Sequence, residues 1–249
     1  MGHLPNWLWN TYSKLYLEFD EDVFTFDEAM KILSAAKSRT LITLSHLRRR
    51  GWLIRFKTEG RRRIYRVLSP GDALFSAALM SNMDKIKQQR YMPLMMKTCR
   101  CLWKAYRKDF FSFVVYGSVA RGSATNYSDV DVLVVVRRMG GSFGKRLDEL
   151  FGNVAEVEVE RRFLRKHGIL TDVSFLPLSL DEASKFLPIY LDISHEGTIL
   201  FDQHEFFTRL MDRFRFLLQK FNIRRFSLGD QWYWQMNPDL DMEEIKIEI

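Results

Sequence analysis

One stretch, "VVYGSVARGSATNYSDVDVLVVV" at residues 114 to 136, constrains the fold more than any other. Its closing "VLVVV" is continuously apolar, as expected of a central strand covered on both faces. Yet Asp129 and Asp131 stand where that strand begins. Strand side chains alternate, so both carboxylates project from the same side, two residues' rise apart. Like charges so placed repel each other and lose hydration. A bound divalent cation relieves both penalties, and carboxylate oxygens suit magnesium.

Upstream, "FSFVVY" reads as a second strand, and Gly117-Ser118 opens a short helix, "SVARG". Glycine permits the tight turn and close backbone approach, and the helix start offers free N–H groups to a phosphate. Ser118 adds a hydroxyl donor, and Arg121, one turn on, a cation. The same residues have the glycine spacing of a Walker A loop, but Ser123 stands where its lysine is required. A phosphate cradle beside paired carboxylates suits nucleotidyl transfer. In that chemistry two metal ions about 4 Å apart clamp the triphosphate and activate the attacking oxygen.

Gly117, Ser118, Arg121, Gly122, Ser128, Asp129 and Asp131 resemble the Gly-Ser…Asp-x-Asp signature of the DNA polymerase beta nucleotidyltransferase superfamily. The similarity is nearest to the archaeal-type minimal nucleotidyltransferase branch, which includes aminoglycoside nucleotidyltransferases and antitoxin-like proteins. The resemblance implies that Asp129 and Asp131 hold two magnesium ions and that Gly117, Ser118, Arg121 and Ser128 bind the nucleotide. It also implies a third carboxylate on a later strand. In "GILTDVSFLPLS" alternation puts Asp172 on one face with Ser174 and Leu176, making Asp172 the candidate catalytic and metal-binding residue. The implied reaction moves a nucleoside monophosphate from a nucleoside triphosphate, ATP being expected, to a hydroxyl with release of pyrophosphate. Nothing in the residues selects the acceptor or the base.

Charge locates a second activity. The net charge is +7, yet residues 37 to 66 hold eleven Lys or Arg against Glu59 alone, so they carry +10 and the remainder −3. Thr25 and Glu28 have capping-box spacing at a helix start. A second helix spans about 38 to 50, with Leu41, Leu44 and Leu47 on one face and Gly51 ending it. "WLIRF" and "RRIYRVL" then form a hairpin. Residues 20 to 69 thus resemble a winged helix-turn-helix domain. That resemblance implies DNA contact by Arg39, Thr40, Thr43 and His46 on the second helix and by Arg61, Arg62 and Arg63 beside the wing tip. Because winged-helix regulators often dimerise, it also leaves room for a homodimer.

The expected architecture is α+β: a winged helix-turn-helix over 1–72, a nucleotidyltransferase domain with a leading linker helix over 73–202, and a helix with an aromatic tail over 203–249. The catalytic domain should hold a mixed sheet with flanking helices. "EVEVE" at 156–160 fits a helix with solvated glutamates, and Cys99 and Cys101 read as ordinary thiols. In the tail, Trp232, Tyr233 and Trp234 suit packing better than base stacking. No apolar run approaches the roughly 20 residues that span a bilayer, and no secretory leader is evident, so the expected location is cytoplasmic. Two other functions fit the residues: a DNA-binding regulator whose second domain senses a nucleotide, and an antitoxin-like protein that modifies a partner.

Overall fold

The structure is a computed structural model that describes residues 5–228 and 231–235. The chain divides into two units. One runs to Met83 and takes in Gln88–Arg100; the other comprises Asp84–Lys87 and everything from Cys101 onward.

The first unit contains α1 (Asn6–Phe19), β1 (Val23–Thr25), α2 (Phe26–Leu33), α3 (Lys37–Arg49), β2 (Leu53–Glu59), β3 (Arg62–Val67), α4 (Pro70–Leu79) and the first part of α5 (Met92–Tyr106). Its antiparallel sheet has the order β1-β3-β2. Helix α2 starts where the spacing predicts: the Thr25 hydroxyl accepts from the Glu28 N–H, and a Glu28 carboxylate oxygen accepts the Thr25 N–H at 2.7 Å. Helix α3 differs from expectation. Its buried stripe is Thr40, Thr43, Leu44 and Leu47, while Leu41 is 44% exposed. Steps of three drift by about 60° each on a helix of 3.6 residues per turn, which carries Leu41 off the stripe.

The stretch read as a break near residue 72 is ordered. "SPGD" begins a helix rather than a linker, with Ser69 as N-cap and Pro70 in the first turn of α4. Asp72, fully buried, takes Lys97 Nζ at 2.8 Å and Arg100 Nε at 3.0 Å, which ties α4 to α5 inside the first unit.

The second unit is built on a mixed sheet of β4 (Phe110–Tyr116), β5 (Val130–Val136), β6 (Val173–Ser179) and β7 (Thr198–Asp202), ordered β6-β5-β4-β7. Strands β5 and β6 are parallel, and β4 is antiparallel to both of its neighbours. Every residue of β5 except Asp131 is buried, so this strand is the covered centre that its valines require. Around the sheet lie α6 (Gly117–Arg121), α7 (Phe143–Asn153), α8 (Glu158–Lys166), α9 (Leu180–Ala183), α10 (Ile189–Glu196) and α11 (Phe206–Lys220). Phe207, Leu210, Met211 and Phe214 of α11 share one core with Val114, Leu133 and Tyr190. The hairpin β8 (Arg224–Leu228) with β9 (Gln231–Gln235) follows, and Trp234 packs against that core.

Residues 156–160 are helical as expected, but Glu160 is buried rather than solvated, because it shares a helix face with Val157 and Leu164. Cys99 and Cys101 are buried free thiols. Among the described residues no helix is long and apolar enough to cross a membrane.

Candidate active site and basic surface

The site forms where β4 hands over to α6. Tyr116 pairs across the sheet with Asp131, which places the next residue, Gly117, directly against that carboxylate. A Cβ on Gly117 would stand 2.2 Å from Asp131 Oδ2, and its φ of +69° lies in the left-handed region. Glycine is required twice over, by space and by backbone conformation.

Asp129 immediately precedes β5. Its Oδ1 accepts the Asp172 N–H at 2.9 Å, while the Val130 N–H donates to the Asp172 carbonyl at 2.8 Å. The end of β6 thus grips the Asp-Val-Asp segment through its backbone. The Asp172 side chain is engaged elsewhere. One oxygen accepts the Val173 N–H at 2.7 Å, and the other is ion-paired with Arg161, which also meets Glu158 at 2.9 Å. Burial first, then the neighbouring Asp129, pushes the Asp131 carboxyl above its usual range, and Arg121 only partly offsets this. Tyr116 is pushed up to about 12, by burial and then by Asp131.

Residues 99–176 match the family model described as a nucleotidyltransferase domain. The segment is a nucleotidyltransferase domain. This match and the relative described next support a nucleotidyltransferase. A curated protein of Methanocaldococcus jannaschii, named "Putative protein adenylyltransferase", is 25% identical over 129 residues, covering 51% of this chain and 82% of its own length. A solved structure, "Crystal structure of the toxin-antitoxin with AMP-PNP", shares 14% identity at a TM-score of 0.34, covering 51% of this chain and 92% of its own. At that score the likeness carries no weight for function.

Nucleotidyltransferase domains generally use divalent metals. The donor set here is oxygen only, and the half-buried Asp131 beside the exposed Asp129 carboxylate fits a hard divalent cation. Among the described residues no group of three His, Cys, Asp or Glu side chains converges for metal binding, which agrees with Asp172 being turned to Arg161.

Ser118 is half-buried at the start of α6. Ser128 braces its own loop: its hydroxyl accepts the Thr125 N–H at 2.9 Å, and its carbonyl accepts from the Thr171 hydroxyl at 2.8 Å. Arg121, at the end of α6, is ion-paired with Glu196 and lies 5.0 Å from the centre of the Trp232 ring. Sequence reasoning missed Lys87. Its Nζ donates to the Arg121 carbonyl at 3.2 Å, and its side chain crosses Gly122 so closely that a Cβ there would meet it at 2.7 Å. The signal was weak, a lysine 30 residues before the motif, in a stretch read as linker.

On the first unit, Arg39 is exposed as expected, and so are Arg61, Arg62 and Arg63. Thr40 and Thr43, expected on the exposed face of α3, are buried, and the Thr40 hydroxyl donates to the Ala36 carbonyl at 3.2 Å. His46 is half-buried, edge-on to Trp7 at 5.8 Å. The exposed face of α3 instead presents Ile42, 57% exposed, beside Leu41. Arg61, Arg62, Arg63 and Lys37 border a cavity of about 280 Å³ together with Leu41 and Tyr65.

Proposed function

We propose that the chain transfers a nucleoside monophosphate from a nucleoside triphosphate, ATP being expected, to a hydroxyl acceptor. The acceptor oxygen bonds to the α-phosphorus as the bond to pyrophosphate breaks. The observation that carries this reading is the seating of the Gly117 backbone on the Asp131 carboxylate, with Asp129 alongside.

Asp129 and Asp131 hold magnesium in this reading. The same burial and repulsion that raise the proton affinity of Asp131 favour a divalent cation. Once bound, the metal neutralises phosphate charge and polarises the phosphoryl oxygens. Asp172 contributes first through its N–H, which fixes Asp129; its carboxylate joins the metal set only by leaving Arg161. Gly117 and Ser118 receive the phosphates through backbone and hydroxyl donors, and Arg121 supplies a fixed positive charge. Ser128 acts by holding the loop that precedes the carboxylates. Positioning and charge neutralisation supply most of the rate, as in phosphoryl transfer generally. The name of the Methanocaldococcus relative makes a protein hydroxyl the first acceptor to try.

The first unit, in this reading, is a winged helix that binds DNA. The order helix, helix, antiparallel hairpin supports it, as do the exposed arginines at the β2-β3 turn. The contacts fall to Arg39, Arg61, Arg62 and Arg63, since Thr40 and Thr43 are buried.

The test is label transfer. Purified protein is incubated with magnesium, each radiolabelled triphosphate and host lysate, beside the Asp129→Asn/Asp131→Asn variant. Transfer by the natural chain that vanishes in the variant supports the enzyme and sizes its acceptor. Equal nucleotide binding by both proteins without transfer sinks the reading and favours a nucleotide-sensing regulator.

A further inference from the structure

We propose that the C-terminal hairpin is a working part of the nucleotide site, in which Trp232 and Glu196 are positioning residues that hold the Arg121 guanidinium ready for a triphosphate. The inference rests on the reading of Gly117 to Arg121 as the phosphate-binding turn. Arg121 closes a helix of five residues, too short to fix the side chain at its end. Glu196 of α10 supplies the anchor by ion-pairing with Nη1. The Trp232 ring supplies a wall, its centre 5.0 Å from the guanidinium carbon.

Trp232 is itself pinned. Its indole N–H donates to Asp192 Oδ1 at 3.3 Å, and the Trp234 indole N–H donates to the same oxygen at 3.3 Å. Arg225 lies 4.5 Å from the centre of the Trp232 ring and 3.7 Å from Glu196 Oε2. From the backbone side, Lys87 holds the Arg121 carbonyl.

A guanidinium presents five N–H donors in a rigid fork, so one nitrogen given to Glu196 leaves donors for phosphate oxygens. The Arg121 side chain stays 31% exposed. A cation already pinned between a carboxylate and a ring loses little freedom on meeting its ligand, which is how pre-organisation raises affinity. The hairpin is also held by contacts that do not involve Arg121, through Asp192, Arg225 and the packing of Trp234 against the core.

The experiment is calorimetric titration of the full chain with magnesium and an ATP analogue blocked at the α–β bridge, with AMP titrated separately. Trp232→Ala should weaken triphosphate binding about tenfold, the scale of one charge-assisted hydrogen bond, and leave AMP binding unchanged. Trp232→Phe should restore most of the loss. In an Arg121→Ala background, Trp232→Ala should add nothing, because it acts through the arginine. Should Trp232→Ala fail to fold, Glu196→Gln must show the same selective loss in smaller measure. Triphosphate binding as tight as in the natural chain, an equal loss for triphosphate and AMP, or an undiminished loss in the Arg121→Ala background would each overturn the inference. A natural chain that binds no nucleotide brings down the phosphate-site reading itself, and this inference with it.

Discussion

Helices α6 and α3 each carry residues to which a function is assigned, and they differ in what fixes their faces. At α6 the backbone decides. The turn after β4 must bring residue 117 onto the Asp131 carboxylate with a positive φ, and only a residue without Cβ can do so. At α3 packing decides. Four of its residues turn inward because α1, α2 and β2 lie against that side, and two of the four are threonines. A steric requirement on the backbone leaves one solution, whereas a helix in isolation can bury any of several stripes.

The largest effect should follow from attacking the first of these. Gly117→Ala sets a Cβ 2.2 Å from Asp131 Oδ2 and holds a non-glycine residue at a φ of +69°. The backbone conformation alone costs about 1–2 kcal/mol. The carboxylate must move as well, and a displacement of about 1 Å in a positioned group costs on the order of a hundredfold in rate. Label transfer should therefore fall at least that far, while thermal unfolding shows a loss of a few degrees. Full activity in Gly117→Ala would mean that the Asp131 position does not govern the reaction, and the contrast between the two helices would lose its meaning.

The same contrast explains what was legible in the sequence. The strand before Gly117, the short helix, Asp129 and Asp131 at the head of a fully covered strand, and the capping box at Thr25 all follow from residues a few positions apart. Each is a local constraint, and each appears at its expected place. Other features depend on contacts that the local pattern leaves open. Leu41 sits outside because the inward stripe passes through Thr40 and Thr43, small residues whose hydroxyls find a carbonyl in their own helix or tolerate burial. Asp72 is buried because Lys97 and Arg100, 25 and 28 residues on, neutralise it. Glu160 is inside because Val157 and Leu164 share its face. The Asp172 side chain meets Arg161, whose position depends on how α8 returns to the sheet. Lys97, Arg100 and Arg161 are not signalled by spacing, whereas the face-mates of Glu160 lie three and four residues away and are open to reading.

A smaller effect sharpens the comparison on the basic surface. Arg62 and Arg63 are exposed at the start of β3, away from any core. Replacing both with alanine should leave the melting temperature of the first unit unchanged. Each phosphate contact contributes about −0.9 to the slope of log affinity against log salt, so the slope should become shallower by about two. A slope identical to that of the natural chain would take Arg62 and Arg63 out of the DNA-binding reading and leave Arg39 and Arg61 to support it.

The smallest expected effect, at Thr40, is the most discriminating. Its side chain is fully buried, and its hydroxyl donates to Ala36, whose carbonyl also accepts the Thr40 backbone N–H at 3.0 Å. Thr40→Val removes the donor without orphaning the acceptor and adds a methyl of nearly the same size. Stability should then change by no more than about 0.5 kcal/mol, because the costly case is a buried polar group left without a partner. DNA affinity should not change at all, since the residue cannot reach a groove from inside the unit. Arg39→Ala, one position earlier and exposed, should weaken binding under the same conditions. If Thr40→Val instead lowered affinity severalfold at constant stability, α3 would have to present another face to DNA, and packing would not be what sets its orientation.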